Sequence, residues 1–329
     1  MAETSASFIH DPHDPARWDA GADLPERRAN MKVTLAHRFE AGLMEIMFRL
    51  FRLLGVDRAS GFMGGLLRRI GPLFTGVQKR GFANLRLVYP RNTTAQNRAI
   101  LSEAWENLGR TVAEYAHLKE FVPFTEEARV TVENAEILEQ IRDSGKPVIF
   151  MSGHIANWEV MPITLYRAGL KCAIVFRSAN NPVIDEKIIN LRADVMSRHQ
   201  IPKNKRGSRR LLTSLGEGLS VCMLIDQKLN EGIPVPFLGH DAMTGLATAK
   251  MALKFNTPVV PLSIRRHKGE ARFTIRVHKP IMPQPTDNGK QDTEHLTRLT
   301  NDALSDIIHD NPGQWLWFHR RWPKEATKS

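Results

Sequence analysis

The chain has 329 residues, 42% of them hydrophobic, enough for one sizeable core with peripheral elements. Its two cysteines, Cys172 and Cys222, both lie in apolar runs (LKCAIVF and VCMLI), which argues for buried free thiols and excludes a cysteine-based metal site. A formal net charge of +11 points to an anionic partner: nucleic acid, phospholipid headgroups or an acidic carrier protein. With 7% aromatic residues, no basic–aromatic alternation and no zinc-finger spacing, nucleic acid is the least favoured of the three.

Residues 1–30 are polar and lack the apolar core of a secretory signal, so they read as a disordered polar tail. His10 and His13 in HDPHDP fit that tail better than a metal site. Residues 31–92 form a helical region. In it Leu43, Ile46, Met47, Leu50, Phe51 and Leu54 recur at three- and four-residue steps and make one broad apolar face. Arg49 and Arg52 interrupt this stretch, and Arg68, Arg69, Lys79, Arg80 and Arg86 follow it. Apolar helices punctuated by arginines suit a helix lying in a bilayer interface, the alternative being core helices with snorkelling arginines. No run of 18 apolar residues is present, so a clean membrane-spanning helix is not expected.

Residues 93–329 then read as one α/β domain. A helix over 93–119 is capped at Thr93 or Thr94 and carries Ile100, Leu101, Trp105, Leu108 and Val112 on one face. Beyond 128, strand-like runs (VTVEN, KPVIFMS, LKCAIVF, LSVCMLID, TPVVPLSIRR, ARFTIRVHKP) alternate with helical stretches near 134–143, 158–168, 182–198, 207–216, 245–255 and 291–310. Connections of crossover length imply a mixed, largely parallel sheet flanked by helices.

The segment MSGHIANWEV follows one of these strands and carries His154 and Glu159. Carboxyl ends of strands are where open α/β sheets bind ligands, and Gly153 leaves room for a tight turn there. His154 is therefore a candidate general base, with Glu159 as the carboxylate that would orient it. Backbone N–H groups of the helix expected to start near Asn157 and Trp158 would meet an oxyanion. Trp158 itself reads as packing the turn. Taken alone, a histidine and a glutamate five positions apart are as compatible with an ordinary loop. Arg177 and Asp226 also follow strands, so they project from the same edge of the sheet as His154.

In order along the chain stand NLRLVYP, SGHIANWE, FRSANNPVID, LIDQK, PVPFLGHDAMTG, TPVVPLSIRR and PGQWLWFHRRW. Together they resemble the late, lauroyl/myristoyl-type bacterial lipid A biosynthesis acyltransferases, within the H-x4-D/E acyltransferase superfamily. The resemblance implies a glycerolipid acyltransferase-like fold with a membrane-associated helical N-terminal region. It makes His154, Glu159, Arg192 and Asp226 the catalytic group, and Arg177, Asn181, Gly153, Asn157 and Gln227 substrate-contacting. It further implies transfer from acyl-acyl carrier protein to a phosphorylated glycolipid at the inner membrane, with membrane lipid as a further partner, no cofactor, no metal and no nucleic acid. Two departures stand out. The N-terminal apolar stretch is broken by arginines, and the aromatic pair common before the glycine of the PVPFLG element is Phe237-Leu238 here. Three alternatives stay open at this point: the same chemistry on a lysophospholipid or other glycolipid, a fatty-acid-releasing hydrolase, and a non-catalytic basic membrane-binding protein.

Overall fold

A computed structural model describes residues 17–25 and 32–327; His10 and His13 lie outside them. The N-terminal region is helical as expected: α1 (Leu35–Leu54), α2 (Val56–Ile70) and α3 (Thr75–Val88), followed by α4 (Thr94–Glu114). Thr93 caps α4 through a reciprocal box with Gln96, which satisfies two of the N–H groups left over at the helix start. Gly109 lets α4 cross α2 closely, since a Cβ there would run into the Met63 carbonyl.

The expected single apolar face of α1 is divided in two. Ala41, Phe48 and Phe51 pack inward, whereas Leu35, Phe39, Leu43, Ile46, Leu50 and Leu53 form an exposed stripe at three- and four-residue steps. Among the described residues no helix is long and apolar enough to cross a membrane.

The remaining elements are β1 (Val130–Glu133), α5 (Ala135–Ser144), β2 (Ile149–Ser152), α6 (Val160–Arg167), β3 (Cys172–Phe176), α7 (Pro182–Ala193), β4 (Gln200–Pro202), α8 (Lys205–Gly216), β5 (Ser220–Leu224), β6 (Ile233–Phe237), β7 (His240–Thr244), α9 (Ala247–Phe255), β8 (Val259–Arg266), β9 (Phe273–Val277) and α10 (Gly289–Asp310). Seven strands form one sheet in the order β1-β9-β8-β2-β5-β3-β4. β8, β2, β5, β3 and β4 are mutually parallel, and β9 turns antiparallel to β8. The fold is thus α/β with a mixed, largely parallel sheet flanked by helices.

Alternation along the strands builds a core on each face. Phe150, Ile174 and Cys222 pack on one side with Ala104, Leu138, Val160 and Met196. Ile149, Met151, Ala173 and Val221 pack on the other with Leu211 and Leu215 of α8 and Ala252 of α9. α6 and α7 carry the chain outward toward the β4 edge on one face and α8 and α9 carry it back on the other, the partition that crossovers of a single hand produce. Both cysteines are buried and free.

The sequence reading missed β4 and the β6–β7 hairpin. Pro234 and Pro236 obscure the strand signal of β6, and the tight turn places Leu238 (φ 49°) and Gly239 (φ 81°) in the left-handed region that two-residue hairpin turns demand. Residues 17–25, read from composition as tail, pack on the α/β core. Arg17 pairs with Asp19 at 2.6 Å and donates to the carbonyls of Ala193 and Met196, Asp19 accepts from the Arg198 N–H, and Trp18 stacks on His199. Three side chains with specific partners outweigh a polar composition.

Candidate active site

β2 and β5 pair in parallel with Ile149 opposite Val221 and Ser152 opposite Leu224. Two residues further on, the same register sets His154 against Asp226. Asp226 Oδ1 lies 2.7 Å from His154 Nδ1, and Oδ2 accepts from the His154 backbone N–H at 2.9 Å and from Trp315 Nε1 at 2.8 Å. Gly153 permits the approach, since a Cβ there would stand 3.3 Å from Asp226 Oδ2 and from Leu304. Burial pushes the Asp226 carboxyl up, but the adjacent His154 and the hydrogen bonds outweigh it and hold the group well below the usual carboxylate range. An ionised Asp226 accepts from Nδ1–H, which leaves Nε2 of a neutral imidazole as an acceptor. The Gln227 amide nitrogen stands 3.4 Å from that Nε2, consistent with the same tautomer.

Glu159 does something other than orient His154. It sits at the start of α6, its carboxylate turned away from the histidine, and takes both Nε (2.8 Å) and Nη2 (2.5 Å) of Arg192 and the Tyr115 hydroxyl (2.5 Å). Burial pushes Glu159 up, yet the Arg192 charge and the hydrogen bonds bring it below its ordinary value; Arg192 is held above its own. The intervening turn, with Ala156 at φ 49°, separates the two carboxylate environments. Asp226 is therefore the imidazole's partner and Glu159 the arginine's.

Several amides around the turn are engaged, although those of Asn157 and Trp158, the positions expected to offer free N–H groups, are not among them. The amides of His154, Ile155, Ala156, Glu159 and Val160 bond to Asp226, Gly153, Gln314, Asn157 and Asn157 respectively. Asn157, expected at the substrate, is fully buried and donates to Glu114, itself ion-paired with Arg266. Asn107 and Thr111 bond the Ala156 carbonyl from below. This polar network fixes the turn. Asn181, also expected at the substrate, caps α7 and donates to His37 and Glu40, tying α7 to α1.

His154, Trp158, Glu159, Arg192, Arg177, Lys203 and Gln227 border one cavity of about 230 Å³, floored by Ile174, Phe176, Cys222 and Leu224. Trp158 packs on the core and meets the His154 ring edge-on at 5.1 Å, and it also belongs to the cavity wall. A lining that combines cationic and apolar side chains suits an anionic amphiphile. Sequence reasoning missed Tyr115, Lys203 and Trp315. The aromatic-rich PGQWLWFHRRW was visible, but nothing local revealed that one of its indoles reaches a carboxylate 89 residues away.

Residues 29–324 match the model of the bacterial lipid A biosynthesis acyltransferase family, and the chain belongs to that family of transferases. It is 25% identical over 252 residues to the lipid A biosynthesis myristoyltransferase of Escherichia coli (strain K12), covering 76% of each chain. To the lipid A biosynthesis acyltransferase of Haemophilus influenzae it is 21% identical over 277 residues, 84% of this chain and 83% of that one. Among solved structures, the 1-acyl-sn-glycerophosphate acyltransferase of Thermotoga maritima aligns over 85% of this chain and 99% of its own, with 14% identity and a TM-score of 0.37.

Proposed function

We propose that this protein transfers a fatty acyl chain from acyl-acyl carrier protein to a hydroxyl of a phosphorylated lipid A precursor, at the cytoplasmic face of the inner membrane. The observation that carries the reading is the His154–Asp226 pair, which leaves Nε2 as a proton acceptor inside a cavity lined by cations and apolar side chains.

In this mechanism Nε2 takes the proton of the acceptor hydroxyl as its oxygen attacks the thioester carbonyl carbon, with no covalent enzyme intermediate. Asp226 holds the tautomer and stabilises the imidazolium that forms. The tetrahedral intermediate collapses by breaking the carbon–sulfur bond, and the imidazolium returns its proton to the departing thiolate. The oxyanion is met by the cationic wall of Arg192, Arg177 and Lys203. Arg177 and Lys203 also suit the phosphates of the acceptor. The exposed stripe from Leu35 to Leu53 supports seating of α1 in the membrane interface, which brings a lipid acceptor to the cavity.

Incubating purified protein with acyl-acyl carrier protein and a tetra-acylated lipid A precursor, with detection by mass spectrometry, tests the reading. One added acyl chain is the expected product. No product with that acceptor, but acylation of a lysophospholipid, would move the activity to another substrate.

A further inference from the structure

α8 is built against ordinary helix electrostatics. Its first six residues, Lys205 to Arg210, include Lys205, Arg206, Arg209 and Arg210, and no acidic residue stands in its first turn. Cations at a helix N-terminus oppose the macrodipole, and like charges three and four apart repel, at a few tenths of a kcal/mol each. All four are exposed, and among the described residues none is in an ion pair. The helix buries Leu211 and Leu215 on the opposite side, so the basic face is not needed for folding. Lys203, two residues before α8, is exposed and lines the cavity together with Arg177, so the basic segment adjoins the cavity.

Two acidic partners compete for such a face, a membrane and a protein, and the architecture separates them. Most of the exposed large apolar side chains lie on α1 and α2 and in the turn after them, with Met282 and Leu299 elsewhere, whereas α8 exposes none. α1 docks on α7 through the Asn181–Glu40 and Lys187–Glu45 contacts, and the residues just after α7 join the core of one sheet face. α8 packs on the other face. The cavity is lined by residues at and just beyond the carboxyl ends of β2, β3 and β5 and by Lys203 just before α8.

We propose that the basic face of α8, formed by Lys205, Arg206, Arg209 and Arg210, docks the acidic carrier protein that brings the acyl thioester, while the lipid acceptor reaches the cavity from the α1 side. This rests on the carrier-protein donor assigned above. Charge complementarity of this kind acts mainly on encounter, so its removal raises KM for the protein-borne donor and spares the chemical step.

The test is the variant Arg206→Ser/Arg209→Ser/Arg210→Ser, compared with wild type using one acyl group carried either on acyl carrier protein or on pantetheine. The expected result is a KM for the carrier-protein donor raised by about tenfold or more, with kcat, turnover of the pantetheine thioester and binding to anionic vesicles unchanged. As a second measure, salt raised from 50 to 500 mM, round figures chosen to take screening from weak to strong, should reproduce the KM rise in wild type and not in the variant. An unchanged KM with product still forming in wild type would overturn the docking site alone. Lost vesicle binding with an unchanged KM would assign the face to the membrane instead. No product from carrier-protein donor in wild type, with product from pantetheine thioester, would remove the donor reading and this site with it.

Discussion

His154 and Asp226 stand 72 residues apart in sequence and 2.7 Å apart in space, joined by the parallel register of β2 and β5. Asp226 Oδ2 is already taken by two donors, the His154 amide and the Trp315 indole. In Asp226→Asn those donors would hold the amide oxygen and turn the NH₂ toward Nδ1. The imidazole proton would then move to Nε2, the wrong tautomer for a base. The expected outcome is a kcat lower by about 10²–10⁴, with little change in melting temperature. Steady-state kinetics and thermal melting check it.

Glu159→Gln should behave in the opposite way. It leaves the Arg192 charge buried without its partner, a loss of about 3–5 kcal/mol measurable by urea unfolding. Glu159 and Asp226 both have folded values below their unfolded ones. Their stabilisation is therefore complete above the unfolded carboxylate range, roughly pH 4, and disappears as pH falls through the depressed folded values. Between pH 6 and pH 3, chosen to bracket that range, the wild type should lose stability more steeply than Glu159→Gln.

Trp315→Phe keeps an aromatic ring but removes the indole donor to the Asp226 carboxylate. About 1.5–3 kcal/mol of stability should go with it. Activity should fall less than in Asp226→Asn, because the contact that sets the tautomer survives. Denaturant melts and kcat on one preparation check both statements.

Leu43→Glu/Leu50→Glu places charges on the exposed stripe of α1. Each site loses about 1.5–3 kcal/mol of apolar burial when the helix meets lipid, so co-sedimentation with vesicles should fall by at least about tenfold. Melting temperature should stay put, since both side chains are exposed in the free protein.

Much of the fold is legible in the sequence because strand runs, turn residues and crossover lengths agree with one another. KPVIFMS, LKCAIVF and LSVCMLID all become neighbouring parallel strands, and their carboxyl ends bring His154, Arg177 and Asp226 to one edge. What stayed hidden depends on register and long-range packing. Glu159 is near His154 in sequence, and proximity along the chain suggested the wrong pairing. Only the β2–β5 register reveals Asp226 as the partner. Asn157 and Asn181 match motif positions but are engaged in holding the turn and in joining α7 to α1. Trp315 shows no local signal because its partner, Asp226, lies 89 residues away in the loop after β5.

In the proposed mechanism His154 removes the acceptor's proton. The most direct measurement is kcat of His154→Ala with acyl-acyl carrier protein and a tetra-acylated lipid A precursor, on protein shown by thermal melting to be folded. A fall of at least about 10² is expected. A kcat within a few-fold of wild type would contradict it.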